Sequence, residues 1–276
     1  MSTDLKVAAI QVAHVDDEDP DARWARTSEL VRAHRHHDLI VLPELWSNGA
    51  FSPAGWDESA EPLDGPHVQR LADLARELGV TLHGGSFIER SIEAGADGRH
   101  LWNTSVVLGP DGSLRAVYRK IHRFGFGEGE PLLLEAGSEL ATFDMGGTTI
   151  GLATCYDLRF PELFRAYVDH GVEVFLVPAS WPDARREHWQ LLGRARALEN
   201  QAWVVQVNVT GAHGGLDMGG HSQVVAPMGR VVGSLDRDES CLSAVLDLEV
   251  LRAARDNFPV LADRRVGRLD RGGVRT

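Results

Sequence analysis

The chain has 276 residues, 43% of them hydrophobic and 25% charged, which is enough apolar material for one large domain or two small ones. A formal net charge of −12 argues against a nucleic-acid partner, because phosphate binding needs a basic face. No apolar run approaches a membrane span, and two cysteines, Cys155 and Cys241, are too few for a disulfide framework and lack metal-ligand spacing. The N-terminal stretch MSTDLKVAAIQVAHVDDEDP has too short an apolar core for a secretory signal, so a reducing, cytoplasmic setting is expected.

In chain order, the apolar run Val7–Val12 predicts a strand and Asp21–His36 a helix. Leu39–Leu42 predicts a second, buried strand that ends on Pro43-Glu44. Pro66–Leu78 predicts a helix, because Val68, Leu71, Ala75 and Leu78 fall on one face. Pro66 suits its first turn and Gly79 its C-terminal cap. Strands follow at Val80–Ile88 and Thr104–Leu108, then a Pro110-Asp111-Gly112 hairpin turn and a partner strand ending at Lys120. After a Met145-Gly146-Gly147 turn, Thr148–Ala153 predicts a strand that stops just before Cys155, with a helix around Pro161–Val168. Strand Val174–Val177, helix Glu187–Gln201 and strand Trp203–Val209 come next. Gln223–Ala226, a Pro227-Met228-Gly229 turn, Val231–Leu235 and Ser243–Leu248 complete the series. Strands interleaved with helices imply an α/β protein whose helices cover sheet faces. With no linker or repeat in view, residues 1–276 are expected to form a single domain, with a peripheral Arg-rich tail from about 258.

Three positions could carry chemistry. A strand that stops at Cys155 and turns into a helix presents the sulfur at the strand's carboxyl end, where functional groups in α/β sheets gather. Backbone N–H groups of the next turn would lower the thiol pKa and could bind an oxyanion. Glu44 is delivered by the end of a buried strand, as a general base would be. Lys120 ends a hairpin strand, and Glu130 lies in the Gly127-Glu128-Gly129-Glu130 loop beyond it. Taken singly, each has a plain structural reading: a core thiol, a loop glutamate, a solvated strand-edge lysine.

Taken together, these segments resemble the nitrilase superfamily of carbon–nitrogen hydrolases, in the expected order over nearly the whole chain. Leu42-Pro43-Glu44 is similar to that family's glutamate motif and Tyr118-Arg119-Lys120-Ile121-His122 to its lysine motif. Thr154-Cys155-Tyr156-Asp157-Leu158-Arg159-Phe160-Pro161-Glu162 resembles its cysteine motif, the most specific of the three. His188-Trp189 with Arg194-Ala195-Arg196-Ala197-Leu198-Glu199-Asn200 resembles the branch of ω-amidases and deaminated-glutathione amidases. The run Arg123-Phe124-Gly125-Phe126 departs from that branch, which usually has an apolar residue and then an acidic loop.

The resemblance implies a four-layer αββα sandwich and a homodimer or larger homo-oligomer. It also implies hydrolysis of a small carboxamide through a cysteine thioester, with no metal or organic cofactor required. Cys155 would be the nucleophile, Glu44 the general base and Lys120, with the Tyr156 backbone N–H, the oxyanion stabiliser. Glu130 would orient Lys120. Arg159, Arg123 or Arg185 could bind a substrate carboxylate, and Trp46, Phe124 and Trp181 would wall the pocket. N-carbamoyl amide hydrolysis and nitrile hydrolysis would use the same three residues. Rival readings from other classes are a Cys–His hydrolase using His122 or His221, a metal site at His34, His36 and His37, and a non-catalytic scaffold.

Overall fold

The computed structural model describes residues 4–266. Strand β1 (Asp4–Gln11) and the short β2 (Ala13–His14) lead into α1 (Pro20–Ala33), whose Asp19 side chain caps the first backbone N–H groups. β3 (Leu39–Val41), α2 (Trp56–Ser59), α3 (Pro66–Leu78), β4 (Thr81–Arg90), β5 (Leu101–Leu108) and β6 (Leu114–Arg119) follow. The α3 bounds match the predicted helix, and Gly79 caps it in the left-handed region at φ 66°. After the single turn α4 (Glu130–Leu133) come β7 (Thr142–Met145), β8 (Thr148–Leu152), α5 (Pro161–Asp169), β9 (Val174–Ala179) and α6 (Arg186–Asn200). The remaining elements are β10 (Trp203–Asn208), β11 (Thr210–His213), β12 (Leu216–Asp217), β13 (Gln223–Val225), β14 (Val231–Ser234), β15 (Ser240–Asp247) and α7 (Leu248–Asn257).

Two six-stranded sheets dominate, in the orders β15-β1-β3-β4-β5-β6 and β14-β13-β10-β9-β8-β7. Each has three parallel central strands, β1-β3-β4 in one and β8-β9-β10 in the other, flanked by antiparallel partners. Side-chain alternation along β1 explains the stacking. Val7 and Ala9 face an inner core shared with Ile150, Leu152, Val174 and Leu176 of the other sheet, whereas Ala8 and Ile10 face outward under α3 residues Leu71 and Ala75. On the far side, Phe175 and Val177 of β9 pack against Phe164 and Tyr167 of α5 and Trp189 of α6. The layers therefore run α, β, β, α, as the resemblance implied.

Three differences from the expected elements have local causes. Helix α1 ends at Ala33, not His36, because the His34 and His37 rings bond the carbonyls of Leu30 and His34 and the chain turns there. A five-residue 3₁₀ turn (Cys155–Arg159) precedes α5. Helix α7 was not anticipated; it opens at Asp247, whose carboxylate accepts the N–H groups of Glu249 and Val250. The last ten residues of the expected tail lie outside the described residues. No helix among the described residues is long and apolar enough to cross a membrane.

Candidate active site

The site forms where strands of both sheets end at their carboxyl edge. Beyond β3, Glu44 is buried, and Gly85 of β4 packs on the residue just before it: a Cβ on Gly85, at φ 70°, would meet the Pro43 carbonyl oxygen at 2.0 Å. Ser86 Oγ accepts the Leu45 N–H there. Beyond β6, Lys120 is equally buried, its backbone N–H bonded to the Asn103 carbonyl and its carbonyl to the Gly137 N–H. Beyond β8, Cys155 opens the 3₁₀ turn at φ 47°. A non-glycine residue held in that region costs about 1–3 kcal/mol, and the surroundings must fix it. Here the buried Asp157 carboxylate does so. It accepts the Thr154 N–H at 2.8 Å, the Tyr118 hydroxyl at 2.7 Å, and both the backbone N–H and Nδ1 of His122. One carboxylate thus ties the cysteine turn to the strand that carries Lys120.

The ionic centre is tight. Lys120 Nζ lies 2.8 Å from Glu44 Oε1 and 2.9 Å from Glu130 Oε2, with all three side chains buried. Asn103 Nδ2 donates to both carboxylates, at 2.9 Å to Glu44 and 2.8 Å to Glu130. The other Glu44 oxygen accepts the Ser180 N–H at 2.8 Å, and Ser180 Oγ donates to the Glu44 carbonyl. Burial alone would lower the Lys120 pKa, but the two carboxylates outweigh it and hold the ammonium well above its usual range. Burial raises the Glu130 pKa, with Lys120 opposing and Glu44 reinforcing the shift.

Glu44, Lys120, Glu130 and Cys155 line one cavity of about 490 Å³, together with Phe51, Phe124 and Arg185. A narrower lobe beside it shares Cys155 and adds Tyr156, Arg159 and Trp181. Glu44, Lys120, Glu130, Cys155, Tyr156, Arg159, Arg185, Phe124 and Trp181 thus all reach the cavity or its lobe. The thiol behaves differently from expectation. Its pKa is pushed well above the ordinary cysteine range, first by burial and then by the facing Glu44 carboxylate, with Lys120 and a Ser180 backbone contact opposing.

Other expectations need correcting. Trp46 does not wall the pocket; its ring is in the core beneath the first sheet, with Nε1 donating to the Gly84 carbonyl. Arg123 turns away to Asp97 and the Leu134 carbonyl. His122 is committed to Asp157 and stacks on Phe160, His221 bonds the Gly219 carbonyl, and neither lines the cavity. No group of His34, His36 and His37, nor any other set of three or more His, Cys, Asp or Glu among the described residues, is arranged to hold a metal ion. Sequence reasoning gave no role to Asn103, Asp157, Ser180 or Phe51. Ser180 had a usable signal, since it directly follows an all-apolar parallel strand.

An ammonium between two carboxylates, facing a strand-end thiol in a half-enclosed cavity, is the architecture of an acyl-transfer site. The carbon-nitrogen hydrolase family matches residues 6–256, and the chain belongs to that family. It is 45% identical over 265 residues to the 2-oxoglutaramate amidase of Paenarthrobacter nicotinovorans, covering 95% of this chain and 90% of that protein. It is 36% identical over 232 residues to the 2-oxoglutaramate amidase of Bacillus subtilis (strain 168), covering 84% and 86%. Among solved structures it resembles XC1258 from Xanthomonas campestris, a CN-hydrolase superfamily protein with an arsenic adduct in its active site, at a TM-score of 0.86 and 31% identity over 97% of this chain and 99% of that one. The protein is a nitrilase-superfamily hydrolase of carbon–nitrogen bonds, of the amidase type.

Proposed function

We propose that the enzyme hydrolyses the monoamide of a small dicarboxylic acid, of the 2-oxoglutaramate kind, to carboxylate and ammonia through a thioester on Cys155. The observation that carries this reading is the Glu44–Lys120–Glu130 centre facing Cys155 across one cavity. Burial and the facing Glu44 carboxylate favour the protonated thiol at rest, and Cys155 Sγ attacks the amide carbon as its proton passes to Glu44. Lys120 Nζ lies within hydrogen-bond distance of Glu44 Oε1 and of both Glu130 oxygens, so of its three N–H donors one serves each carboxylate and one is shared with Glu130 until substrate binds. The third, with the Tyr156 backbone N–H, receives the oxyanion. Collapse returns the proton from Glu44 to the leaving nitrogen and releases ammonia. Glu44 then deprotonates the water that cleaves the thioester, giving the acid and restoring the thiol. Glu130 keeps Lys120 charged and aimed. Phe124 and Trp181 form apolar walls, and Arg159 faces the distal carboxylate.

Two further parts belong to the proposal. Both cysteines are free thiols, which suits a cytoplasmic enzyme. Leu191 and Leu198 stand exposed on α6, and Gly229 packs on Leu198 near exposed Met228, which suits a face covered in a homo-oligomer. Ammonia release across dicarboxylate monoamides, neutral amides, N-carbamoyl compounds and nitriles tests the function. Preferential turnover of a carbamoyl compound or a nitrile would reassign the substrate.

A further inference from the structure

The cavity and the lobe beside it carry opposite charge. On the cavity side, Glu44 and Glu130 outnumber Lys120. The narrower lobe that shares Cys155 is lined by two guanidiniums, Arg159 and Arg185, and neither has a carboxylate partner among the described residues. Arg159 lies over the Trp181 ring at 4.6 Å and within 3.4 Å of His188 Nδ1. Arg185 has its guanidinium over the Phe124 ring at 5.4 Å, and its backbone carbonyl accepts the Trp181 indole N–H. The pair are close enough that Arg185 depresses the Arg159 pKa, adding to burial. The third acid on the cavity, Glu128, is exposed at its rim. Two like charges brought together without a counter-ion destabilise the empty site, so the arrangement favours an anionic occupant.

We infer that Arg185 is a specificity-determining residue, which with Arg159 clasps the substrate's distal carboxylate and excludes amides bearing a neighbouring α-ammonium group. This rests on the dicarboxylate-monoamide reading above. A guanidinium stacked on an aromatic ring keeps its N–H edge free, so one arginine can bind a carboxylate bidentately while the second closes over it. An α-amino acid amide such as glutamine would place its ammonium one carbon from that carboxylate, beside two positive charges. A 2-oxo group at the same carbon offers an acceptor instead. Phe124 carries Arg185 and follows Arg123, so the run that departs from the branch pattern supplies the platform for this second arginine.

The experiment compares the wild-type enzyme and Arg185→Gln on three probes: 2-oxoglutaramate, pentanamide and L-glutamine. In the wild type, 2-oxoglutaramate should be strongly preferred over both others. Losing one charge-assisted contact should raise KM for 2-oxoglutaramate about tenfold to a hundredfold, with pentanamide unaffected. Preference for 2-oxoglutaramate over glutamine should shrink by about tenfold or more, and Arg185→Lys should restore part of it. A variant that keeps both preferences overturns the assignment and leaves the monoamide reading standing. Equal loss on all three probes makes Arg185 structural and also overturns it. Wild-type enzyme that hydrolyses pentanamide as well as 2-oxoglutaramate overturns the monoamide reading, and this inference with it.

Discussion

The cavity and the lobe beside it, the inner and outer ends of one site, are built on opposite plans. Around Lys120, hydrogen bonds from Asn103 and Ser180 fix Glu44 and Glu130 from several directions, and the Gly85 and Gly137 backbones close in behind. Around Arg159 and Arg185 there are stacked rings and a single contact to His188. The inner end is complete without substrate; the outer end is missing a counter-charge. Catalytic groups must be held in one geometry, because electrostatic preorganisation is what lowers the barrier. A recognition end can wait for the ligand to complete it.

The sharpest way to break the inner end is to remove the nucleophile. Cys155→Ala should lower turnover by at least about four orders of magnitude while the protein stays folded, and Cys241→Ala should retain most activity. Cys241 is half-buried on β15, its thiol pushed up to about 12 by burial, and it does not line the cavity. Steady-state ammonia release with a thermal melt decides this; an active, folded Cys155→Ala enzyme would sink the mechanism.

Next in size is Glu44→Gln, which should lower turnover by about 10²–10⁴-fold through loss of the general base. The same change has an opposite effect on the resting thiol. Since the Glu44 charge raises the Cys155 pKa, removing it should move the midpoint of the iodoacetamide alkylation rate to lower pH. A midpoint that stays or rises contradicts the electrostatic account.

Lys120→Met should cost about a hundredfold or more in kcat and also about 3–5 kcal/mol in stability, because two buried carboxylates lose the cation that pairs with both among the described residues. Denaturant melts read the second effect. The pH profile of the unmodified enzyme bears on the same centre. Burial raises the Glu130 pKa, so as pH falls Glu130 gains a proton earlier than an ordinary carboxylate and stops supporting Lys120. The acid limb of kcat/KM should therefore lie above the usual carboxylate range, and Glu130→Gln should flatten it.

At the outer end the effects are smaller and selective. Arg159→Lys keeps the charge but loses the planar fork, so KM for a charged monoamide should rise about tenfold while neutral amides are unaffected. Equal depression of both would mean that Arg159 buttresses the cysteine turn. Arg123→Ala, outside the cavity, should change stability by no more than about 1 kcal/mol and leave specificity alone.

The same contrast explains what the sequence disclosed. Glu44, Lys120 and Cys155 each follow a strand legible in the sequence, but singly each had a plain structural reading, and it was the resemblance to the nitrilase superfamily that implied a shared site. Asn103 and Asp157 could not be assigned roles from strand order. Asn103 lies in mid-strand, and its two carboxylate partners are 59 and 27 residues away. Asp157 works through the Tyr118 hydroxyl on the opposite sheet. The arginines were ambiguous because guanidinium reach exceeds anything periodicity specifies: Arg123 and Arg185 looked alike, and only the fold separates them. Trp46 misled for a related reason, since a large aromatic beside a catalytic motif fills the core as readily as it lines a pocket.

The site is also a seam. Glu44 and Lys120 leave one sheet, Cys155 and Ser180 leave the other, and the Ser180–Glu44 hydrogen bonds cross between them. A folding intermediate with either sheet formed alone would hold half of the machinery and turn over nothing. Recovery of activity during refolding should therefore coincide with consolidation of the apolar layer between the sheets, where Val7, Val41, Leu152 and Leu176 meet. Turnover becomes a clock for the docking of two layers, and a void cut into that layer far from Cys155 would slow the clock without touching the chemistry.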